Sequence, residues 1–169
     1  SRGLVGSEMC IRDRFITGLT KMGIEKIPPL VGRGVLINMA KHHGVSSMYG
    51  GQGITREDIK KAIKKQNIEL KKGDIILFHT GWTDAKLKSS PEEWGASIPG
   101  ITNDAAVYLS EFKPMAVGAD TWGLGAVPPI EGDKVYYDHV TLIKENGIYI
   151  LETMDLSLIH ISEPTRPLD

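Results

Sequence analysis

The chain has 169 residues, 41% of them hydrophobic and 24% charged, which is ordinary globular usage and the size of one domain. Its 20 basic and 21 acidic residues leave a formal charge of −1, so electrostatics gives no reason to expect nucleic acid or an anionic membrane surface as partner. A single cysteine, Cys10, excludes an intrachain disulfide scaffold, and no apolar run approaches the roughly 20 residues that span a bilayer.

Residues 1–14 (SRGLVGSEMCIRDR) show neither helical nor strand periodicity, and neither do residues 157–169 (SLIHISEPTRPLD). The pieces SEMCIRDR and SLIHISEPTRP resemble translated sequencing-adapter read-through. Both ends are therefore expected to be non-native segments flanking one domain, 15–156. The alternative is a pair of genuine frayed termini. On the first reading Cys10 and His160 drop out as ligands, and the natural protein continues on both sides. No basic start followed by an apolar stretch marks a secretory signal, so a cytoplasmic setting is the default expectation.

Between the ends, strands and helices alternate. Pro28-Pro29 marks an extended entry to a strand over 30–37 (LVGRGVLI). Residues 39–43 suit one helical turn ended by Gly44, followed by a Gly- and Ser-rich loop to Gly53. Thr55 with Asp58 three residues on reads as a capping box for a helix over 56–66, with Ile59, Ala62 and Ile63 on one face. Residues 71–74 (KKGD) are a turn signal before a short apolar strand, 75–79 (IILFH). Residues 84–100 read as a loop with a helical turn around 91–94. A second helix, 104–112, is capped by Asn103 or Thr102. A strand at 115–118 (MAVG) leads into a Gly- and Pro-containing loop, 120–130. Asp138 is placed to cap a third helix to about Glu145, with Val140 and Ile143 inward and Gly147 as its C′ residue. The last strand covers 148–151 (IYIL). Helices separating short apolar strands predict an α/β arrangement.

His139 and Glu152 are the sharpest candidates for chemistry. One falls at a helix start and the other at the end of the returning strand, so the two side chains can converge. Imidazole and carboxylate are both competent ligands for a divalent ion. The bland alternative is a surface histidine and a solvated carboxylate. Asp120, Thr121 and Trp122 follow a strand end, where ligand contacts are common in α/β folds, although a turn-capping Asp and a core Trp fit as well. Trp82 can line an aromatic-substrate pocket or simply pack. His79 reads as structural, and His42 and His43 as surface residues. No nucleotide-binding glycine spacing and no G-x-S-x-G nucleophile context is present.

Several stretches together resemble the cyclase family, the group of kynurenine formamidases and isatin hydrolases. They are GIEKIPPLVGRGVLINMAKHHGV, GITREDIKKAI, KKGDIILFHTGW, PGI, AVGADTWG and DHVTLIKENGIYILETMDL, spanning about residues 15–156. The resemblance implies a three-layer β/β/α swivelling domain of the cyclase family, here incomplete, that assembles as a homodimer or homotetramer. It implies metal-dependent hydrolysis of a small cyclic or aryl amide, with Zn²⁺ or Mn²⁺ as cofactor. It assigns His139 to catalysis or metal binding, Glu152 to the metal, and the segment of Asp120 and Trp122 to the vicinity of the active site. The family's His-x-x-x-His-x-Asp motif, which supplies most ligands, is absent from this sequence. It is expected upstream, so this chain alone is expected to be inactive. A non-catalytic α/β binding or assembly domain is the alternative, and a family member acting on a carbinolamide or other non-aromatic substrate a third reading.

Overall fold

The computed structural model describes residues 27–156 together with the backbone of two short strands, β1 (Arg14–Phe15) and β2 (Gly18–Leu19), which pair antiparallel. The expectations for residues 1–13 and 157–169, including Cys10 and His160, lie outside the described residues. From there the order is β3 (Gly34–Asn38), α1 (Met39–His43), β4 (Gly53–Ile54), α2 (Arg56–Gln66), β5 (Ile75–His79), α3 (Trp82–Lys86), α4 (Pro91–Ala96), β6 (Gly100–Ile101), α5 (Asn103–Glu111), β7 (Ala116–Ala119), α6 (Tyr137–His139) and β8 (Tyr149–Leu151). A π-helical stretch, Val140–Glu145, continues α6. This is the expected α/β class, with parallel sheets.

Strands β3, β5, β7 and β8 form one parallel sheet in that order, with Gly34 opposite Ile75, Ile75 opposite Ala116, and Ala116 opposite Tyr149. Central strands of a parallel sheet are covered on both faces. Accordingly β7 is buried throughout and β5 buries Ile76, Leu77 and Phe78 in succession. Edge strand β3 buries only Val35 and Ile37. Residues 30–33, expected to belong to this strand, precede it instead. The partner strand begins only at Ile75, whose amide donates to the Arg33 carbonyl at 2.9 Å; residues before Arg33 pair with no strand among the described residues, and Val31 is 80% exposed.

Just before that point Arg33 turns onto the 71–74 turn. Its Nε donates to Asp74 Oδ1 at 2.9 Å and its Nη2 to Asp74 Oδ2 at 2.6 Å, while the Lys71 amide donates to the same Oδ2 at 2.6 Å. This fork joins the starts of β3 and β5. The Arg33 guanidinium holds the Asp74 carboxyl below the usual carboxylate range, against the opposing effect of burial.

Helix α2 has the expected bounds because its capping box forms: Thr55 Oγ1 accepts from the Asp58 amide at 3.2 Å, and Asp58 Oδ2 accepts from the Thr55 amide at 3.1 Å. Its buried Ile59 and Ala62 join Ala105, Ala106 and Leu109 of α5 in the core with Ile37, Phe78 and Val117 of the sheet. At the other end of α2, Gln66 exchanges hydrogen bonds with the backbone of Asn38, closing part of the β3 edge.

Three expectations need correction. Residues 82–86 form a helix rather than entering a loop. That helix is five residues long, opens from Gly81 at φ 72° without a side-chain cap, and so leaves no periodic trace. Asp138 does not cap the third helix: Tyr136, at φ 58°, occupies that position and Asp138 sits buried as the second residue of the helix. Ile143 faces outward, 39% exposed, because the wide π winding turns Thr141 and Leu142 to the core instead.

A second small sheet pairs β4 with β6 in parallel, Ile54 opposite Ile101. The loop 124–127 lies directly on it through bridges from Ile98 to Val127 and from Ile101 to Gly125. Among the described residues no helix is long and apolar enough to cross a membrane.

Candidate functional site

Parallel strands place their carboxyl ends on one side of the sheet, the usual location for ligand contacts in α/β folds. After β8 the chain stays against the loop that follows β7: the Thr153 amide donates to the Thr121 carbonyl at 2.7 Å and the Met154 amide to the Ala119 carbonyl at 3.2 Å. Glu152, between them and β8, accepts from the Leu124 amide through Oε1 at 3.1 Å. His139, the last residue of α6, brings Nε2 to within 3.2 Å of that same oxygen. The structure therefore brings together the two residues singled out from the sequence.

The other side of the imidazole meets a residue that the sequence offered only as a cap. Nδ1 of His139 lies 3.2 Å from Oδ2 of Asp138, whose side chain is 3% exposed. Both atoms are buried, and among the described residues neither has a hydrogen-bond partner, so what joins them is this close approach of opposite polarity. The Tyr136 ring stands edge-on to the imidazole at 5.5 Å. Burial alone would lower the imidazole pKa; Asp138 and then Glu152 outweigh it and push it up to about 9. A cation at this point, whether a proton on the ring or a metal ion beside it, offsets the charge of the two carboxylates.

The pair fits part of a metal centre. Nε2 and Oε1 are of the donor types that Zn²⁺ and Mn²⁺ take, and their 3.2 Å separation is near the roughly 3.3 Å subtended by two donors on one tetrahedral ion. Both side chains keep some exposure, 21% for His139 and 31% for Glu152, so a third group can reach them. Among the described residues no three His, Cys, Asp or Glu side chains are grouped to hold an ion. The pair thus supplies two donors, fewer than the three protein ligands of a usual catalytic site.

Asp120 is placed elsewhere. Its buried carboxylate accepts from the Thr80 amide and hydroxyl and from the Gly81 amide, so it braces the turn after β5. Burial pushes this carboxyl up, against the lowering effect of the Thr80 and Gly81 donors and of His79. His79 Nε2 lies 3.9 Å from Asp84 and 4.0 Å from Asp120. Trp82 is 1% exposed. Trp122 is half-buried and donates from Nε1 to the Trp94 carbonyl at 2.7 Å. His42 and His43 stack edge to face on α1, and burial lowers the His42 pKa. A small cleft beside Asp138 is bordered by Ile101, Gly125, Ala126, Asp133 and Tyr136, with neither Trp82 nor Trp122 on its wall.

The Cyclase family model matches residues 14–126. Among solved structures, one described as a novel cyclase is similar at 30% identity and a TM-score of 0.73, over 85% of this chain and 47% of that one. A potential metal-dependent hydrolase with cyclase activity matches at 24% identity and TM-score 0.55, over 84% of this chain and 57% of that one. Isatin hydrolase A from Labrenzia aggregata, bound to benzyl benzoate, matches at 21% identity and TM-score 0.57, over 79% and 52%. These last two share the fold. The chain spans about half the length of the structures it matches. No curated protein matches it.

Proposed function

The chain belongs to the Cyclase family, and on that premise we propose that it is part of a metal-dependent hydrolase acting on a small cyclic or aryl amide. The observation that carries the reading is the 3.2 Å approach of His139 Nε2 to Glu152 Oε1 at the carboxyl end of a parallel sheet. Solved structures with this fold that are described as a metal-dependent hydrolase and as isatin hydrolase support it. A bound Zn²⁺ or Mn²⁺ would supply Lewis-acid polarisation of the amide carbonyl and an acidified water.

This chain's residues contribute part of the apparatus. Glu152 offers a carboxylate oxygen held in place by the Leu124 amide. His139 offers Nε2 either as a second donor or as the group that carries a proton to the leaving nitrogen. Asp120 serves this site indirectly, by fixing the Thr80–Gly81 turn from which α3 and Trp82 start. Trp122 follows β7 at this sheet end and is half-buried, which supports a place near an aromatic substrate; Trp82 follows β5 but is 1% exposed, so it packs beneath that place without touching a ligand. The assembly that fits this reading is a homodimer or homotetramer in the cytoplasm.

The test uses the full-length protein with His139→Ala and Glu152→Ala variants. Metal content is measured by elemental analysis, and hydrolysis is followed on an aryl formamide and a cyclic aryl amide. Both variants are expected to lose metal or activity. Unchanged metal content and unchanged hydrolysis in both would overturn the assignment and leave a non-catalytic binding domain as the reading.

A further inference from the structure

We propose that Asp138 is a positioning residue: its buried carboxylate sets the orientation of the His139 ring, and Gly125 is the position that makes room for it. This rests on the reading of His139 as a ligand or proton carrier. Burying a carboxylate is costly unless something charged or hydrogen-bonding meets it. A carboxylate in a first helical turn is ordinarily used to accept backbone N–H groups. Among the described residues Oδ2 of Asp138 accepts from no donor, and the polar atom it faces is His139 Nδ1, 3.2 Å away, buried and equally without a hydrogen-bond partner. Ligating imidazoles are commonly oriented through their second nitrogen by a carboxylate or carbonyl. Here that carboxylate is the neighbouring residue on the chain.

The surroundings leave it no other position. A Cβ on Gly125 would lie 2.9 Å from Asp138 Oδ1, 3.1 Å from Cγ and 3.2 Å from Oδ2. The carboxylate thus fills the space that any other residue at 125 would need. Gly125 is followed by Ala126 and preceded by Leu124, whose amide holds Glu152. One short loop therefore seats the carboxylate behind the imidazole and the carboxylate in front of it. Tyr136, in its left-handed conformation, opens the helix so that Asp138 turns inward and His139 follows with its ring across the Tyr136 edge.

The experiment uses the full-length protein with Zn²⁺ as the probe. Zinc affinity is measured by competition with a chromophoric chelator. The Nδ1–H proton of His139 is followed by NMR in the zinc-loaded, ¹⁵N-histidine-labelled protein. The near-isosteric Asp138→Asn, whose neutral amide oxygen accepts less strongly than a carboxylate, is expected to weaken zinc binding by about 10–100-fold and to move the Nδ1–H signal upfield with faster exchange. Gly125→Ala, which displaces the carboxylate without removing it, is expected to change both in the same direction. If Asp138→Asn binds zinc as wild type does and leaves the signal unchanged, Asp138 does not position the ring. In that case the site reading stands, provided His139→Ala has lost zinc. If His139→Ala retains wild-type zinc affinity, the underlying reading fails and this inference fails with it. Should Gly125→Ala not fold, Asp138→Asn decides alone.

Discussion

The carboxylate of Asp120, at the end of β7, accepts both the backbone amide of Thr80 at 3.0 Å and its hydroxyl at 2.7 Å, just past the end of β5. With the Gly81 amide at 2.8 Å, this locks two adjacent strand ends together beneath the candidate site. Replacing Asp120 by Ala strands three buried donors. The expected loss is about 3 kcal/mol or more in urea unfolding, against about 2 kcal/mol for Thr80→Val, which removes two bonds of the hydroxyl, its donation to Asp120 and its acceptance from the Trp82 amide. Equal losses in the two variants would contradict the brace.

The Arg33–Asp74 fork predicts an acid-sensitive term. The folded carboxyl titrates below its ordinary value of 3.8, so its contribution to stability is present above that pH and is lost as pH falls through the folded value. Asp74→Asn is expected to be less stable than wild type at neutral pH. The gap between their urea midpoints should narrow once pH drops below about 3.8. A gap that stays constant down the acid limb would rule the linkage out.

Gly100 is a site of close backbone approach. An added Cβ would clash with the carbonyl carbon of Gly125 and lie 2.5 Å from the Leu124 oxygen. Neither atom belongs to a flexible side chain, so β6 and the 124–127 loop must separate. Gly100→Ala is expected to cost about 1–3 kcal/mol. It should also weaken metal binding, because the displaced loop carries the amide that holds Glu152. Thermal unfolding and a zinc titration on the same samples check both effects.

Thr55→Ala removes the acceptor for the Asp58 amide and is expected to cost about 1 kcal/mol. Thr55→Ser, which keeps the oxygen, should stay within a few tenths of wild type. Zinc affinity should not change in either, since the capping box shares no hydrogen bond with Asp138, His139 or Glu152.

Elements whose cause is local were legible in the sequence. The Thr55–Asp58 pair fixes the start of α2, and the apolar run IILFH fixes β5, because capping and full burial leave their mark in adjacent residues. Elements decided by a distant partner were not. Residues 30–32 look like strand but pair with no strand among the described residues, since β5 starts opposite Gly34. The helix at 82–86 is held by tertiary bonds, including that from the Thr83 hydroxyl to the Asp120 carbonyl, and shows no amphipathic period. The outward Ile143 follows from π winding, which no side-chain spacing announced. At the site, His139 and Glu152 stood out by residue type and by lying at element ends. Asp138 did not: its role depends on a missing Cβ at Gly125, and glycine is common in loops for reasons of backbone freedom alone.

Strand β8 is three residues long, and Glu152 is the residue immediately beyond it. Alternate residues of a strand look in opposite directions, so a slip of β8 by one step against β7 would swing the carboxylate away from the imidazole. With so short a ladder, the backbone contacts of Thr153 and Met154 beyond its end must help hold the alignment. Changes that loosen this C-terminal stretch would then disable the chemistry well before they unfold the domain.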